Sequence, residues 1–127
     1  MSKSKLVKKL DQIFSKYIRW YYADANGYVS CYTCGTTKPV KEMQAGHFQS
    51  RRHYATRWLS DNCRPQCVKC NMFMQGNIWI YGNKLKAEIG EDKFDKLIQL
   101  SNTSVKRSKQ DYEDMIKYYK DELNKFM

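Results

Sequence analysis

The sequence predicts an α+β fold, a small core of short strands held together by cysteines and flanked by α-helices at both ends. Three observations predict it. Two Cys-x-x-Cys pairs, Cys31/Cys34 and Cys67/Cys70, frame the middle of the chain. Apolar residues recur at helical spacing in the first and last stretches, and short β-prone runs lie between them. The length of 127 residues suits one domain, 1–127. Within it the pattern separates a basic N-terminal helical segment (3–24), a core (28–83) and a C-terminal helical extension (84–127).

Taken in order, Leu6, Leu10, Ile13, Phe14, Tyr17, Ile18 and Tyr21 form one stripe, so residues 3–23 read as an amphipathic helix with lysines outward. Asn26-Gly27 stops it with a turn. Tyr28 to Cys31 is β-prone, and CYTCG forms a tight knuckle in which Gly35 is free to take positive φ. Lys38-Pro39-Val40 reads as a connection and Met43 to Phe48 as a strand. QSRRHYATRW (49–58) has no clear period and reads as an exposed basic loop. Met72 to Ile89 is expected to be helical with an interruption at Gly76. After Gly90, Phe94, Leu97 and Ile98 share a helical face. Ser108 and Asp111 form a capping-box pair, with Asp in place of the usual Glu or Gln, ahead of a helix over 109–126. Its stripe is Tyr112, Met115, Ile116, Tyr119, Leu123 and Phe126. The stripes of the terminal helices suit either internal packing or a homodimer.

Hydrophobic residues make up 42% and aromatics 14% of the chain, which argues against disorder. The net charge of +10 points to a polyanionic partner, nucleic acid first. No apolar run is long enough to span a membrane, and MSKSKLVKKLDQIF lacks the apolar core of a signal peptide. The expected location is therefore the cytoplasm, where reducing conditions argue against structural disulfides.

Two Cys-x-x-Cys knuckles complete a tetrahedron of thiolates around Zn²⁺, leaving no open position, so Cys31, Cys34, Cys67 and Cys70 predict a structural zinc. Cys63 lacks a partner at knuckle spacing and reads as a small buried residue. Between the knuckles lies AGHF, with His47; Asn62 sits five residues before Cys67, and Asn71 directly follows Cys70.

AGHFQSRR, NCRPQCVKCN and the trailing QGN together resemble the lambdoid phage NinG (Rap) recombination endonucleases, within the zinc-supported HNH, or ββα-metal, nuclease superfamily. They also resemble phage endonuclease VII, where a Cys-x-x-Cys-Asn run closes the zinc site. The resemblance covers roughly residues 28–83. It implies a phage-encoded enzyme of the bacterial host cell, acting on branched DNA such as D-loops and Holliday junctions, alongside recombination proteins. It also implies catalytic roles for His47, Asn62 and Asn71.

The chemistry suits those residue types. Phosphodiester hydrolysis needs a deprotonated water and positive charge beside the phosphate. A neutral imidazole can take the proton, which makes His47 the expected general base. Asn71 offers an amide oxygen to a hard cation, Mg²⁺ or Mn²⁺, from a position fixed by the zinc. Helix capping is the alternative use of Asn71. In the HNH pattern the middle asparagine, Asn62, ties the loop and holds the histidine strand; an ordinary turn is the alternative. Many HNH enzymes place an Asp metal ligand just before the base histidine, and here that position is Gly46. The cation would rely on Asn71, waters and phosphate, with His47, Gln44, Gln75 and Asn77 as further candidates.

Arg51, Arg52 and Arg57 follow the histidine closely enough to grip phosphates, with His53 and Lys69 as further DNA contacts. The terminal-helix lysines suit either DNA or plain solvation. No element resembles a base-reading helix, so recognition of DNA shape is expected. Two other functions compete: a non-catalytic zinc-containing nucleic-acid-binding module, and a zinc-dependent protein adaptor.

Overall fold

A computed structural model describes all residues, 1–127. Helix α1 (Lys3–Tyr21) starts at Ser2, whose hydroxyl accepts the Lys5 N–H at 3.2 Å. Its stripe Leu6, Leu10, Phe14 and Ile18 is buried. Much of that stripe packs on the last helix, α4 (Lys109–Asn124), which buries Tyr112, Ile116 and Leu123. Tyr119 wedges between Phe14 and Tyr17, with ring centroids 4.9 and 5.3 Å away. The two terminal stripes thus meet inside one chain. The capping box is complete: Asp111 N–H donates to Ser108 Oγ at 3.1 Å, and Ser108 N–H donates to Asp111 Oδ2 at 2.8 Å.

Between these helices lie two antiparallel hairpins. Strands β1 (Tyr28–Ser30) and β2 (Thr37–Pro39) enclose the first knuckle, with Tyr28 opposite Pro39. The stretch from Lys38, expected as a plain connection, belongs to this ladder. Gly35 takes φ +81° at the knuckle's end. Strands β3 (Met43–His47) and β4 (Cys63–Cys67) pair with Met43 opposite Cys67 and His47 opposite Cys63. β4 was not legible because Pro65 at its centre argues against a strand and its alternating Arg64 and Gln66 look solvent-facing, whereas all five residues are buried. Its Arg64 is buried as well, its guanidinium held by Glu88 at 2.9 Å and by the Ser60 and Cys63 carbonyls at 2.8 Å.

The interruption expected at Gly76 is there, as a full break between two helical segments. Lys69–Phe73 forms one π-helical turn; Gln75, Gly76 and Asn77 then take φ of +51°, +85° and +50°, and α2 begins at Ile78. Three successive left-handed residues cannot continue a right-handed helix. Helix α2 (Ile78–Ile89) runs through the expected boundary at residues 83–84, and α3 (Glu91–Ser101) follows after Gly90, at φ +91°. Tyr81, Leu85 and Leu97 join these helices in a cluster flanked by Phe48 and Tyr32. The segment 49–58 is a loop with Arg51 and Arg52 exposed, as expected, but its second half is anchored. Thr56 and Trp58 are buried, because Trp58 completes the α1–α4 core and Tyr119 donates to its carbonyl at 2.8 Å.

Gly46 is where β3 comes closest to another element. A Cβ there would lie 1.8 Å from Oε1 of Gln66, a fully buried side chain anchored by donation to the Gly76 carbonyl (2.8 Å) and Thr33 Oγ1 (3.1 Å). Gly46→Ala should therefore cost about 1–3 kcal/mol in denaturant unfolding, as overpacking does. Gln66→Ala should cost less in that background than alone, because the two changes share one space. Strictly additive costs would show that Gln66 moves aside freely.

Candidate functional site

The cysteines converge as their spacing requires. The sulfurs of Cys31, Cys34, Cys67 and Cys70 all lie within 4.8 Å of one another, and Cys34 and Cys67 are 3.7 Å apart. A tetrahedral zinc with sulfurs at about 2.3 Å has edges of roughly 3.8 Å, so the four thiols can hold the ion. The Cys70 N–H points at Cys67 Sγ from 3.4 Å, and Asn77 Nδ2 approaches Cys70 Sγ at 3.9 Å. Burial works against ionisation of Cys31, but hydrogen bonds from the Thr33 hydroxyl and nearby backbone N–H groups outweigh it and draw its pKa down to about 6. Burial, with the neighbouring thiols, pushes Cys67 up to about 12. Cys63 is fully buried in the α1–α4 core, outside the cluster, and burial raises its thiol well above the ordinary range.

His47 and Asn71 open onto one cleft of about 620 Å³, between the end of β3, the π turn and α1. Nε2 of His47 lies 2.8 Å from the Arg57 carbonyl. A carbonyl only accepts, so Nε2 carries the proton and Nδ1 keeps a lone pair. Burial lowers the imidazole pKa below 6.5, partly opposed by the bond to the Arg57 carbonyl. Asn71 Nδ2 donates to Gln44 Oε1 at 2.7 Å, which turns the amide and leaves Oδ1 free of protein partners. Asn71 lies inside the π turn and caps no helix; the residue at the start of α2 is Asn77. Gln44 and Gln75 line the same cleft, whereas Gly46 faces the buried Gln66.

Asn62 is fully buried and ties the loop after β3. Its Oδ1 accepts the Gln49 N–H at 2.8 Å, and its Nδ2 donates to the Gln49 and Thr56 carbonyls at 2.9 and 3.1 Å. Arg57, expected to face DNA, turns inward instead. Its fork donates to both carboxylate oxygens of Asp11, at 3.1 and 2.6 Å, and to the Arg51 carbonyl at 3.1 Å. Asp11 also accepts the Trp58 indole N–H at 2.9 Å. This carboxylate, the only one in α1, anchors the segment whose Arg57 carbonyl orients His47. Sequence reading passed over it because Asp11 looks like one more polar residue on a solvated helix. Among the remaining basic candidates, Arg51 lines the cleft, and Arg52 and Lys69 are exposed. His53 sits apart, its Nδ1 donating to the Ser101 carbonyl at 2.9 Å in a depression beside the end of α3.

Elemental analysis is expected to give one zinc per chain. Cys67→Ser should lose the ion and cooperative thermal unfolding together. Zinc uptake by stripped protein should release protons and weaken as pH falls, since thiols bind only once deprotonated. A Cys67→Ser protein that melts like the parent would contradict this.

No helix is long and apolar enough to cross a membrane. No curated protein and no solved structure matches the chain. The family described as NinG, Bacteriophage Lambda NinG protein, matches residues 1–127, and the chain is a member of that family.

Proposed function

We propose that this chain is a structure-selective DNA endonuclease that hydrolyses phosphodiester bonds in branched recombination intermediates, with His47 as general base. One observation carries the reading. His47 and Asn71 line the same cleft, and each has one end fixed by a hydrogen bond that leaves an acceptor atom, Nδ1 or Oδ1, without a protein partner. The order of hairpin β3–β4, cysteine-bound turn and helix α2 also suits a ββα-metal core.

In this reading Nδ1 of His47 takes the proton of the attacking water. The Arg57 carbonyl holds the ring during transfer and steadies the positive charge it gains. Asp11 and Asn62 act as positioning residues, one through Arg57 and the other through the loop backbone. Arg51 at the cleft wall holds a flanking phosphate. The amide oxygens on offer to a cation are those of Asn71 and Gln75, with Gln44 Oε1 already accepting one bond from Asn71, while both oxygens of Asp11 are engaged by Arg57 and Trp58. That neutral set fits a hard ion such as Mg²⁺ or Mn²⁺ that keeps its waters and completes its shell on phosphate. Bound there, the ion supplies charge neutralisation at the phosphate and the leaving oxygen. A purely binding module would account for the charge and the cysteines but has no use for an oriented, neutral imidazole.

His47→Ala should lower Mg²⁺-dependent cutting of a four-way junction by about 10²-fold or more, with junction binding little changed. Cutting at the parental rate would remove His47 from the chemistry. Asn71→Ala should weaken cutting at low Mg²⁺ and recover in part with Mn²⁺.

The pH profile follows from the lowered imidazole pKa. The base form is the neutral one, so rates should be level at pH 7 and fall only as pH drops through a value below 6.5. A profile still rising well above pH 7 would indicate a different base.

A further inference from the structure

The π turn and the start of α2 expose aromatic rings that the core does not use. Phe73 is 80% and Trp79 82% exposed, with Met72 and Met74 beside Phe73 at 59% and 46%. Neither ring belongs to a core cluster. An apolar ridge of this kind normally marks a contact surface.

Its backbone is locked. The N–H groups of Met74, Gly76 and Asn77 donate to the Lys69, Cys70 and Met74 carbonyls at 2.9, 2.8 and 2.9 Å, so the ridge hangs directly on a cysteine of the metal cluster. Its position is equally defined. Met72 and Ile78, the chain neighbours of Phe73 and Trp79, both line the His47 cleft, so the backbone that carries the two exposed rings borders it. The exposed charge of its own turn and of the cleft wall is basic: Lys69 lies in the π turn and Arg51 lines the cleft, while the inward Arg57 and the buried Arg64 are already paired with Asp11 and Glu88.

We infer that Phe73 and Trp79 form a stacking platform for unpaired nucleobases at the edge of the cleft. Exposed aromatic rings on a basic surface suit bases, since every base offers a π face while the lysines and arginines follow the backbone. Continuous duplex hides those faces, whereas a branch point or single strand exposes them. The platform would thus favour branched DNA without reading its sequence. The identity of the substrate rests on the nuclease reading; the stacking does not need catalysis.

The test uses zinc-loaded full-length protein without Mg²⁺, with three probes: oligothymidine, a four-way junction carrying 2-aminopurine at the crossover, and linear duplex. Oligothymidine should quench indole fluorescence in the parent and not in Trp79→Ala, because Trp58 is buried and Trp20 is packed beside the cysteine cluster. The Kd for the junction should rise about tenfold or more in Trp79→Ala and in Phe73→Ala, with duplex affinity little changed. Trp79→Phe should restore junction binding.

Equal losses on junction and duplex, or no loss on either, would overturn the platform. So would a parental dimer in sedimentation that Phe73→Ala disperses while quenching persists, since the ridge would then belong to a second copy. Quenching by oligothymidine in a protein that cuts no junction would uphold the platform and sink the nuclease reading. Unchanged junction binding by Trp79→Ala in a protein that cuts junctions would do the reverse.

Discussion

The convergence of four cysteines on one point is the constraint on which the rest of this structure depends. The two hairpins have only three and five residues per strand. Isolated hairpins of that size are marginal in water. The cluster joins the β1–β2 knuckle to the end of β4 and the π turn, with Val29, Val40 and Met43 packed around it. A zinc ion there would supply the folding free energy that so small a core lacks. It would also fix the point from which Asn71 projects.

The opposite wall of the cleft has a different origin. His47 ends β3, but its orientation depends on a carbonyl from a segment ten residues downstream. That segment is moored by Asp11 of α1, by Asn62 and by Tyr119 of α4. The terminal helices are therefore part of the site's support. One carboxylate, Asp11, faces two guanidinium groups, the inward Arg57 at 2.6 Å and the exposed Arg51 at 3.9 Å, which leaves this wall of the cleft with net positive charge.

Gly46 stands where the HNH pattern that the sequence resembles would place an aspartate. The space an aspartate would need holds the Gln66 side chain, whose Oε1 is the only buried side-chain polar atom without a hydrogen-bond partner. It lies against the Gly46 Cα, a weak acceptor contact that no residue with a side chain would permit. Placing an acid at position 46 would require clearing Gln66 as well.

Much was legible from residue order alone. The cysteine spacing, the helical stripes and the Ser108–Asp111 box are local signals, each set by covalent geometry or by a period along one element. Assembly decided the rest. β4 is disguised by its central Pro65 and by polar residues that turn out to be buried, and the break at residues 75–77 takes three left-handed residues of which only Gly76 is marked by its type. The inward turn of Arg57 and the mooring role of Asp11 appear only when residues 46 positions apart meet. Local sequence determined which groups are available. Only burial and long-range hydrogen bonding decided which of them remain open to a substrate, because a group's chemistry is set by the partners it has already taken.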